Sequence, residues 1–260
     1  MNAILEGLLP IVKSAGSKMK QFFDSADKDV QFKGEIDLVT QYDVALEREL
    51  TAAFNKVFPD FRVIGEESSP FDIGMQSGKV IYLDPIDGTT SFVHRFPFTC
   101  ISAGVYIDEQ PHCGVVYNPI LNELFCAAKG EGAYMNGERI HVSNTDKAVR
   151  SLFATGFPYD KELRRKTVHK FAHMLDITQG MRRAGSAALD LCYVARGTFD
   201  VYYESTLRPW DMAAGIVIVE EAGGKVTDLA GKPFRLGLDY LLATNGKVHE
   251  EFLRELNSVK

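Results

Sequence analysis

The sequence lacks the marks of a secreted, disulfide-stabilised or membrane-spanning protein. Its 260 residues include four cysteines and no Cys-x-x-Cys pair, which predicts reduced thiols in the core rather than disulfides. No apolar run reaches the length of a transmembrane helix, and the first residues show no signal-peptide pattern. We therefore expect a cytoplasmic protein that makes no contact with a membrane.

An excess of positive charge is also missing. The chain carries 29 Lys and Arg against 35 Asp and Glu, a formal net charge of −6, which argues against nucleic acid as a partner. Repeats and low-complexity segments are absent, and the 45% of hydrophobic residues are enough for a sizeable core. The length permits one large domain or two.

Fragments of several catalytic signatures occur, but none is complete. His169 and His173 have the spacing of metal ligands, yet their helix lacks the glutamate of a zincin, so we interpret them as a helix face. Gly223-Gly224-Lys225 has no preceding glycine at P-loop spacing and predicts the end of a helix. Gly185-Ser186 lacks the residues that flank a nucleophile elbow.

The most informative stretch of the chain is 83–92, Leu-Asp-Pro-Ile-Asp-Gly-Thr-Thr-Ser-Phe. An apolar, β-branched and aromatic run at 79–82 precedes it and predicts a buried strand. Pro85 stiffens the corner that follows, and Gly88 lets the backbone approach a ligand closely. Hydroxyl side chains then stand where a helix would begin, and a helix N-terminus attracts anions such as phosphate.

Asp84 and Asp87 are three residues apart across this corner, so both side chains can face one point. At about 4 Å and an effective dielectric constant near 20, their repulsion is roughly 4 kcal/mol. Either one of them is protonated or cations lie between them. Hard oxygen ligands beside phosphate-binding amides suit Mg²⁺. An Asx-turn, in which an aspartate bonds its own backbone, is the structural alternative.

Helical periodicity and turn residues divide the chain into two halves. In the first, a helix over 3–24 and a second one opened by Thr40, with Asp43 in a capping-box position, should pack on a mostly antiparallel sheet. The buried face of that second helix is predicted to consist of Val44, Leu50, Ala53, Phe54 and Val57. The polar segment 141–150 is the candidate boundary. After it, helices at 161–175, 185–196 and 211–222 alternate with short strands, which indicates a layered α/β half.

Two further acidic segments stand at the ends of predicted elements. A short strand at 63–64 leads into Gly65-Glu66-Glu67-Ser68. Near the other end of the chain, Trp210-Asp211-Met212-Ala213-Ala214-Gly215 opens a helix that is apolar throughout. By itself, Asp211 is well explained as a helix N-cap.

The segments at 65–68, 84–90 and 210–215, in this order, resemble the inositol monophosphatase family, whose members are Mg²⁺-dependent, lithium-sensitive phosphatases. Each segment alone can occur by chance, but the three together are specific. The resemblance extends over nearly the full chain and includes Lys33…Asp37-Leu38-Val39-Thr40 and Gly185-Ser186-Ala187-Ala188-Leu189-Asp190. It implies an α+β fold, a layered α-β-α-β-α sandwich of the inositol monophosphatase and fructose-1,6-bisphosphatase type.

The resemblance also implies a set of metal ligands. Glu66, Asp84 and the backbone carbonyl of Ile86 are expected to hold a first Mg²⁺. Asp84, Asp87 and Asp211 are expected to hold a second. A third, weaker ion beside Glu66 is left open.

Catalytic and phosphate-binding roles follow from the same resemblance. The Thr89 hydroxyl, hydrogen-bonded to Asp43, is expected to orient or deprotonate the attacking water, and Glu66 is expected to share in that catalysis. The N–H groups of Gly88 and Thr89 are expected to hold phosphate oxygens, with Thr90 nearby. Asp43 can cap its helix, serve Thr89, or do both from the same helix end.

Contacts to the rest of the substrate are implied for Asp87, Gly185, Ser186, Ala187, Glu204 and Asp211. Glu204 is expected to bond an inositol hydroxyl. Arg182 and Arg183 are neighbours on a predicted strand, so only one of them can face the site. We assign Arg182 to the substrate and Arg183 to a subunit interface. Arg208 can meet substrate or solvent, which leaves sugar bisphosphates open as substrates.

These expectations describe a phosphatase in two halves, 1–145 with the main metal site and 146–260 with the substrate side and Asp211. The predicted reaction is the Mg²⁺-dependent hydrolysis of a small phosphorylated metabolite, inositol 1-phosphate, by metal-activated water. Within the family, the alternative is a fructose-1,6-bisphosphatase or a broad-specificity sugar phosphatase. From another class, the alternative is a non-catalytic regulatory or scaffold protein on the same fold. The resemblance also implies a homodimer.

Overall fold

The structure is a computed structural model that describes residues 2–25, 30–32, 38–70, 73–158 and 160–259. The helices are α1 (Ala3–Asp24), α2 (Gln41–Val57), α3 (Thr89–Val93), α4 (Lys161–Ile177), α5 (Ala187–Ala195), α6 (Pro209–Glu221) and α7 (His249–Ser258). The first nine strands are β1 (Val30–Phe32), β2 (Leu38–Thr40), β3 (Arg62–Gly65), β4 (Lys79–Asp87), β5 (Cys100–Ile107), β6 (Gln110–Asn118), β7 (Glu123–Ala128), β8 (Gly132–Met135) and β9 (Glu138–Ile140). The others are β10 (Leu152–Thr155), β11 (Gly180–Arg182), β12 (Val201–Ser205), β13 (Lys225–Thr227) and β14 (Tyr240–Thr244).

Two large sheets organise these strands. The first has seven strands in the order β3-β4-β5-β6-β7-β8-β9, in which β3 runs parallel to β4 and every other pair is antiparallel. The second has five strands in the order β11-β10-β12-β14-β13, with β10 parallel to both of its neighbours and the remaining pairs antiparallel. The predicted, mostly antiparallel sheet of the first half is confirmed.

Helices cover both faces of each sheet. The pair α1 and α2 packs on one face of the seven-stranded sheet, and α5 and α6 fill the space between the two sheets. The outer face of the five-stranded sheet is covered by α4 and α7. The predicted α-β-α-β-α sandwich is therefore confirmed.

The central helix α6 lies unusually close to the seven-stranded sheet. Its residues from Met212 to Val219 are buried, as its continuous apolar sequence predicts. At Gly104 of β5, an added Cβ would lie 2.5 Å from the backbone nitrogen of Ala214, so this contact between strand and helix requires glycine. Nearer the helix start, the Ser102 hydroxyl of β5 donates a hydrogen bond of 3.3 Å to the Trp210 carbonyl oxygen, and Ser102 pairs with Asp84 of β4.

The buried face of α2 differs from the prediction. Val44 and Val57 are 54% and 50% exposed, while Leu46, Leu50 and Phe54 are buried. The buried side also includes the carboxylates of Asp43 and Glu47, which make hydrogen bonds in the interior. The prediction is therefore confirmed for Leu50 and Phe54 and wrong for Val44 and Val57, because the inner face also holds two carboxylates.

The two halves of the chain share one core. The chain changes sheets between Ile140 and Leu152, near the predicted boundary. Tyr82 and Leu189, from opposite sides of that boundary, belong to the same buried cluster. The division into 1–145 and 146–260 stays a prediction. None of the described helices combines the length and apolar character needed to cross a membrane.

Candidate active site

Asp84 and Asp87 face one cavity because β4 is irregular between them. Asp84 is opposite Ser102 and Asp87 is opposite Cys100, so three steps along β4 match only two along β5. Residues three apart on a regular strand point to opposite faces, and an extra residue in one strand restores a common side. Both aspartates consequently line the same cavity, which has a volume of about 700 Å³.

Glu66, Asp84 and Asp211 form a three-carboxylate cluster in this cavity. Each offers one oxygen, and the three oxygens lie within 4.8 Å of one another. Because Gly65 of β3 pairs with Leu83 of β4, the next residues of the two parallel strands, Glu66 and Asp84, are neighbours. Asp211 arrives from the first turn of α6.

Asp211 also closes the first turn of its helix. Its Oδ2 accepts a hydrogen bond of 2.6 Å from the backbone N–H of Arg208. The helix begins at Pro209, so Asp211 is its third residue and not the N-cap itself. The same side chain therefore serves the capping interaction and lies in the carboxylate cluster.

The cluster brings carboxylates of like charge together at a buried position. Burial raises the pKa of Asp84 well above its ordinary value, and Glu66, Asp87 and Asp211 raise it further. Burial and then Glu66 raise the pKa of Asp211 in the same way. A divalent cation reverses this preference, because it stabilises the ionised carboxylates. Carboxylate oxygens this close together fit a hard cation such as Mg²⁺.

Asp87 has partners of its own beside the cluster. Its Oδ2 accepts hydrogen bonds from the Ser186 hydroxyl at 2.6 Å and from the Ala188 N–H at 2.8 Å, both at the start of α5. Burial raises the pKa of Asp87 to about 6, while these hydrogen bonds oppose the rise. Asp87 lines the cavity but is not one of the three carboxylates within 4.8 Å of one another.

Gly88 makes the turn between β4 and α3. Its φ of 84° lies in the left-handed region that favours glycine. An added Cβ would lie 2.9 Å from the Gly185 carbonyl oxygen, which excludes any other side chain here. Gly88, Thr89 and Thr90 all line the cavity, as expected for a segment that receives a phosphate.

Asp43 both caps its helix and contacts Thr89. Its Oδ2 accepts hydrogen bonds from the N–H and hydroxyl of Thr40, at 2.8 and 2.5 Å. Its Oδ1 accepts a hydrogen bond of 3.2 Å from the Thr89 hydroxyl. That hydroxyl also lies 3.1 Å from the carbonyl oxygen of Ile86. A hydroxyl has one proton, so Thr89 donates to only one of these acceptors at a time.

Glu47 is a supporting residue that the sequence analysis missed. It is buried, and its Oε2 accepts a hydrogen bond of 2.8 Å from the N–H of Glu67. An added Cβ at Gly65 would overlap the Glu47 carboxylate, so glycine at that position makes room for the contact. The spacing of Asp43 and Glu47, four residues apart on a helix, was the available signal.

The orientation of the two neighbouring arginines differs from the prediction. Arg183 lines the cavity, whereas Arg182 lies outside it and bonds the carbonyl oxygen of Met181 at 2.8 Å. Strand β11 ends at Arg182, so Arg183 belongs to the following loop and the alternation of strand side chains does not apply to the pair. The assignment of Arg182 to the site is therefore corrected to Arg183.

Glu204 is held between a tyrosine and a glycine. Its carboxylate accepts a hydrogen bond from the Tyr202 hydroxyl, two residues earlier on the same face of β12. An added Cβ at Gly156 would overlap the carboxylate. Burial raises the pKa of Glu204 to about 7, while Tyr202 and Arg183 lower it. The residue is thus fixed in position at the cavity wall.

The structure brings most of the predicted site residues into one cavity. They are Glu66, Asp84, Ile86, Asp87, Gly88, Thr89, Thr90, Gly185, Ser186, Ala187, Glu204 and Asp211. Asp43 reaches the cavity through Thr89. Lys33 and Asp37, which belong to the resemblance, lie outside the described residues.

Several cavity residues were not predicted. Glu67, Arg183, Asp190 and Ser205 line it together with Arg208, which the sequence left between substrate and solvent. The signals for Asp190 were its place in the segment 185–190, which belongs to the resemblance, and its single carboxylate in the otherwise uncharged helix 187–195. Ser205 follows Glu204 directly and carries no signal of its own.

Comparison with known proteins gives a consistent result along the whole chain. The model of the "Inositol monophosphatase family" matches residues 2–260. An inositol-1-monophosphatase from Synechocystis is 42% identical over 258 residues, which cover 97% of this chain and 88% of that protein.

Solved structures show the same likeness. The extragenic suppressor protein suhB from Bartonella henselae superposes with a TM-score of 0.90 at 33% identity, covering 98% of both chains. An inositol monophosphatase from Anabaena has a TM-score of 0.88 at 36% identity, covering 99% of this chain and 96% of that one. A protein named as an extragenic suppressor and a protein named as an inositol monophosphatase therefore share this architecture.

Proposed function

This chain belongs to the inositol monophosphatase family, whose members hydrolyse phosphate monoesters, and from that premise we propose that its own substrate is inositol 1-phosphate. The products are myo-inositol and phosphate. The observation that supports this most strongly is the cluster of Glu66, Asp84 and Asp211 beside the Gly88–Thr90 turn, in a cavity large enough for a cyclitol phosphate.

The family is generally metal-dependent, and the donor set of this cavity fits Mg²⁺. Glu66, Asp84, the Ile86 carbonyl, Asp87 and Asp211 are the groups that we propose as its ligands. We propose two ions, with a third beside Glu66 left open. When bound, Mg²⁺ supplies an acidified water and neutralises charge on the phosphate and leaving oxygens.

The chain's own groups position the reactants. Phosphate monoesters hydrolyse so slowly in water that enzymes accelerate them by up to about 10²¹-fold, largely through orientation and charge stabilisation. The N–H groups around Gly88 and Thr89 are proposed to hold the phosphate oxygens. The Thr89 hydroxyl, which bonds Asp43, is then placed to accept a hydrogen bond from the attacking water and to orient it.

The alcohol part of the substrate is proposed to lie against α5 and β12. Glu204 accepts a hydrogen bond from an inositol hydroxyl, and its position is fixed by Tyr202 and Gly156. Gly185, Ser186 and Ala187 contribute a wall of small residues. A planar aromatic alcohol would leave the polar groups on this side of the cavity without hydrogen-bond partners.

A sugar bisphosphate is the second candidate substrate, and one observation favours it. Arg183 and Arg208 both line the cavity and can pair with a second phosphate group. Phosphate release from inositol 1-phosphate and from fructose 1,6-bisphosphate, each with Mg²⁺ and with excess chelator, separates the two substrates. We expect faster turnover of the inositol phosphate, inhibition by Li⁺, and no activity in chelator. Equal or better turnover of the bisphosphate would overturn the choice of substrate.

A cytoplasmic location and a homodimer complete the proposal. The homodimer derives from the family resemblance, whereas the cytoplasmic location rests on the cysteines and on the missing signal-peptide pattern. All four cysteines are free, three of them buried, which agrees with a reducing compartment. Light scattering of the purified protein measures the oligomeric state, and a mass of one chain would refute the dimer.

A further inference from the structure

Asp190 is a buried carboxyl group to which the proposed reaction gives no role. It lies in the first turn of α5, is 1% exposed and lines the cavity. Its Oδ1 has no hydrogen-bond partner within the part of the chain that the structure describes. Buried polar side-chain atoms are nearly always paired in folded proteins, so an unpaired oxygen calls for an explanation.

Capping of α5 does not provide that explanation. The Ser186 hydroxyl oxygen accepts a hydrogen bond of 3.2 Å from the Leu189 N–H. Asp87 accepts one of 2.8 Å from the Ala188 N–H. Two of the N–H groups that a helix start leaves open are thus bonded by other side chains. Asp190 follows them inside a helix whose other residues carry no charge.

The charged groups that act on Asp190 line the same cavity as Asp190 itself. Burial raises its pKa, Glu204 and Asp87 raise it further, and Arg183 opposes them. All of these groups line the same cavity. Ser205, next to Glu204 on β12, also lines it, and its buried Oγ likewise has no partner among the described residues. Two buried oxygens without partners among the described residues therefore belong to side chains that line the same cavity as Glu204.

We propose that Asp190 is a specificity-determining residue that hydrogen-bonds a hydroxyl group of a polyhydroxylated phosphate monoester. This inference rests on the proposed function, because it concerns the alcohol part of the same ester. A hydroxyl group both donates and accepts, so it pairs with the carboxyl group in either protonation state. The substrate class is then a cyclitol or sugar phosphate, since a simple aryl phosphate offers no hydroxyl to Asp190.

Kinetics on two substrates test the proposal. Inositol 1-phosphate carries ring hydroxyls and 4-nitrophenyl phosphate carries none. We expect Asp190→Ala to raise KM for inositol 1-phosphate roughly tenfold, the size of one lost hydrogen bond, with kcat little changed. Both constants for 4-nitrophenyl phosphate should stay at the parent values. Asp190→Asn keeps a donor and an acceptor, so it should recover most of the loss.

Single-deoxy analogues of inositol 1-phosphate test the same bond from the substrate side. The parent enzyme should lose about tenfold in kcat/KM on one of these analogues. Asp190→Ala should lose nothing further on that analogue, because the bond is already absent. Because Glu204 is also proposed to bond a ring hydroxyl, the absence of a further loss in the variant is what assigns the bond to Asp190. Asp190→Leu, which keeps much of the side-chain volume, replaces Asp190→Ala in this comparison if the alanine variant does not fold.

Two results would overturn the inference alone. One is an equal loss by Asp190→Ala on both substrates, which marks a structural carboxyl group. The other is an Asp190→Ala enzyme that loses the same factor as the parent on every single-deoxy analogue that the parent discriminates. A parent that hydrolyses 4-nitrophenyl phosphate but no polyol phosphate would overturn the proposed function together with this inference.

Discussion

Gly156 lies against the carboxylate of Glu204, with no room for a methyl group between them. Gly156→Ala should therefore displace Glu204 from the cavity wall. We expect KM for inositol 1-phosphate to rise by roughly an order of magnitude, comparable to one lost hydrogen bond, and KM for 4-nitrophenyl phosphate to stay unchanged. Steady-state kinetics on both substrates measure the effect.

Gly74 provides the matched control for this substitution. An added Cβ there meets no described atom within 4 Å, and its φ does not lie in the left-handed region. Gly74→Ala should leave both substrates unaffected. If Gly156→Ala behaves like this control, Glu204 does not need its present position for substrate binding.

Thr89 permits a test of the proposed orientation of water by a single hydroxyl group. Thr89→Val keeps the shape of the side chain and removes the hydrogen bond to Asp43. We expect kcat for inositol 1-phosphate to fall roughly 100-fold or more, as is typical when a proton-transfer group is lost. Thr89→Ser retains the hydroxyl and should keep most of the activity. Similar rates for the two variants would remove the Thr89 hydroxyl from the mechanism.

Sequence reasoning at this scale found the residues with motifs and missed those that support them. Asp84 and Asp211 stand in recognisable segments, and both lie in the cluster. Glu47 lies in no motif, and Asp190 was named only as the last residue of the segment 185–190, so their importance shows only in their hydrogen bonds, or the lack of them, in the folded chain. Such roles depend on contacts between segments that are distant in sequence, so a local pattern cannot reveal them.

At the scale of elements, Asp211 in the first turn of α6 has a capping role and a proposed metal-binding role. Two substitutions of this residue separate the two roles. Asp211→Asn keeps an oxygen that can accept from the Arg208 N–H, so the helix start should persist. We expect activity to fall by orders of magnitude, while thermal melts in chelator show a variant no less stable than the parent. The physical reason is that one of three clustered like charges has been removed.

Asp211→Ala is the companion variant, because it removes both the charge and the capping oxygen. It should be less stable than Asp211→Asn by about 1 kcal/mol, the usual value of a lost cap. Retained activity in Asp211→Asn, with a loss of stability only in Asp211→Ala, would support a purely structural aspartate.

Periodicity predicted which elements exist better than it predicted which way their side chains face. The helix over 3–24 has those limits in the structure. On α2, Val44 and Val57 are exposed because two buried carboxylates occupy part of the inner face. The irregularity of β4 between Asp84 and Asp87 could be anticipated from Pro85. In contrast, no sequence pattern indicated that β11 ends at Arg182, before Arg183.

At the scale of the whole molecule, the buried acids predict how stability depends on pH in the absence of metal. Asp87 and Glu204 have pKa values raised to about 6 and about 7 from ordinary values of 3.8 and 4.5. The folded state therefore binds these protons more tightly than the unfolded chain. Their contribution to stability is fully present below about pH 4 and is lost as the pH rises through 6 to 7.

Thermal melts in chelator measure this dependence. Between pH 5 and pH 8 we expect the melting temperature of the parent to fall by on the order of 5 °C. Glu204→Gln, which cannot titrate, should show a smaller fall. Mg²⁺ should reduce the fall in the parent, since the cation stabilises the ionised carboxylates. A parent that becomes more stable over this range would contradict the assignment of raised pKa values to these groups.

The order of layers was predictable because each layer has its own pattern of apolar residues. Helices with one apolar face cover the outside, and the continuously apolar α6 fills the centre. The sharing of one core by both halves was not predictable, since it depends on how α5 and α6 pack against a sheet formed a hundred residues earlier.

The most direct test is a titration of Mg²⁺ into the chelator-treated protein by calorimetry, with hydrolysis of inositol 1-phosphate assayed on the same samples. Asp84→Asn, checked for native circular dichroism, is the comparison. The parent should show saturable binding, and its activity should rise with the bound fraction, whereas Asp84→Asn should lose both. Full activity of the parent in excess chelator, or undiminished Mg²⁺ binding by Asp84→Asn, would contradict the account.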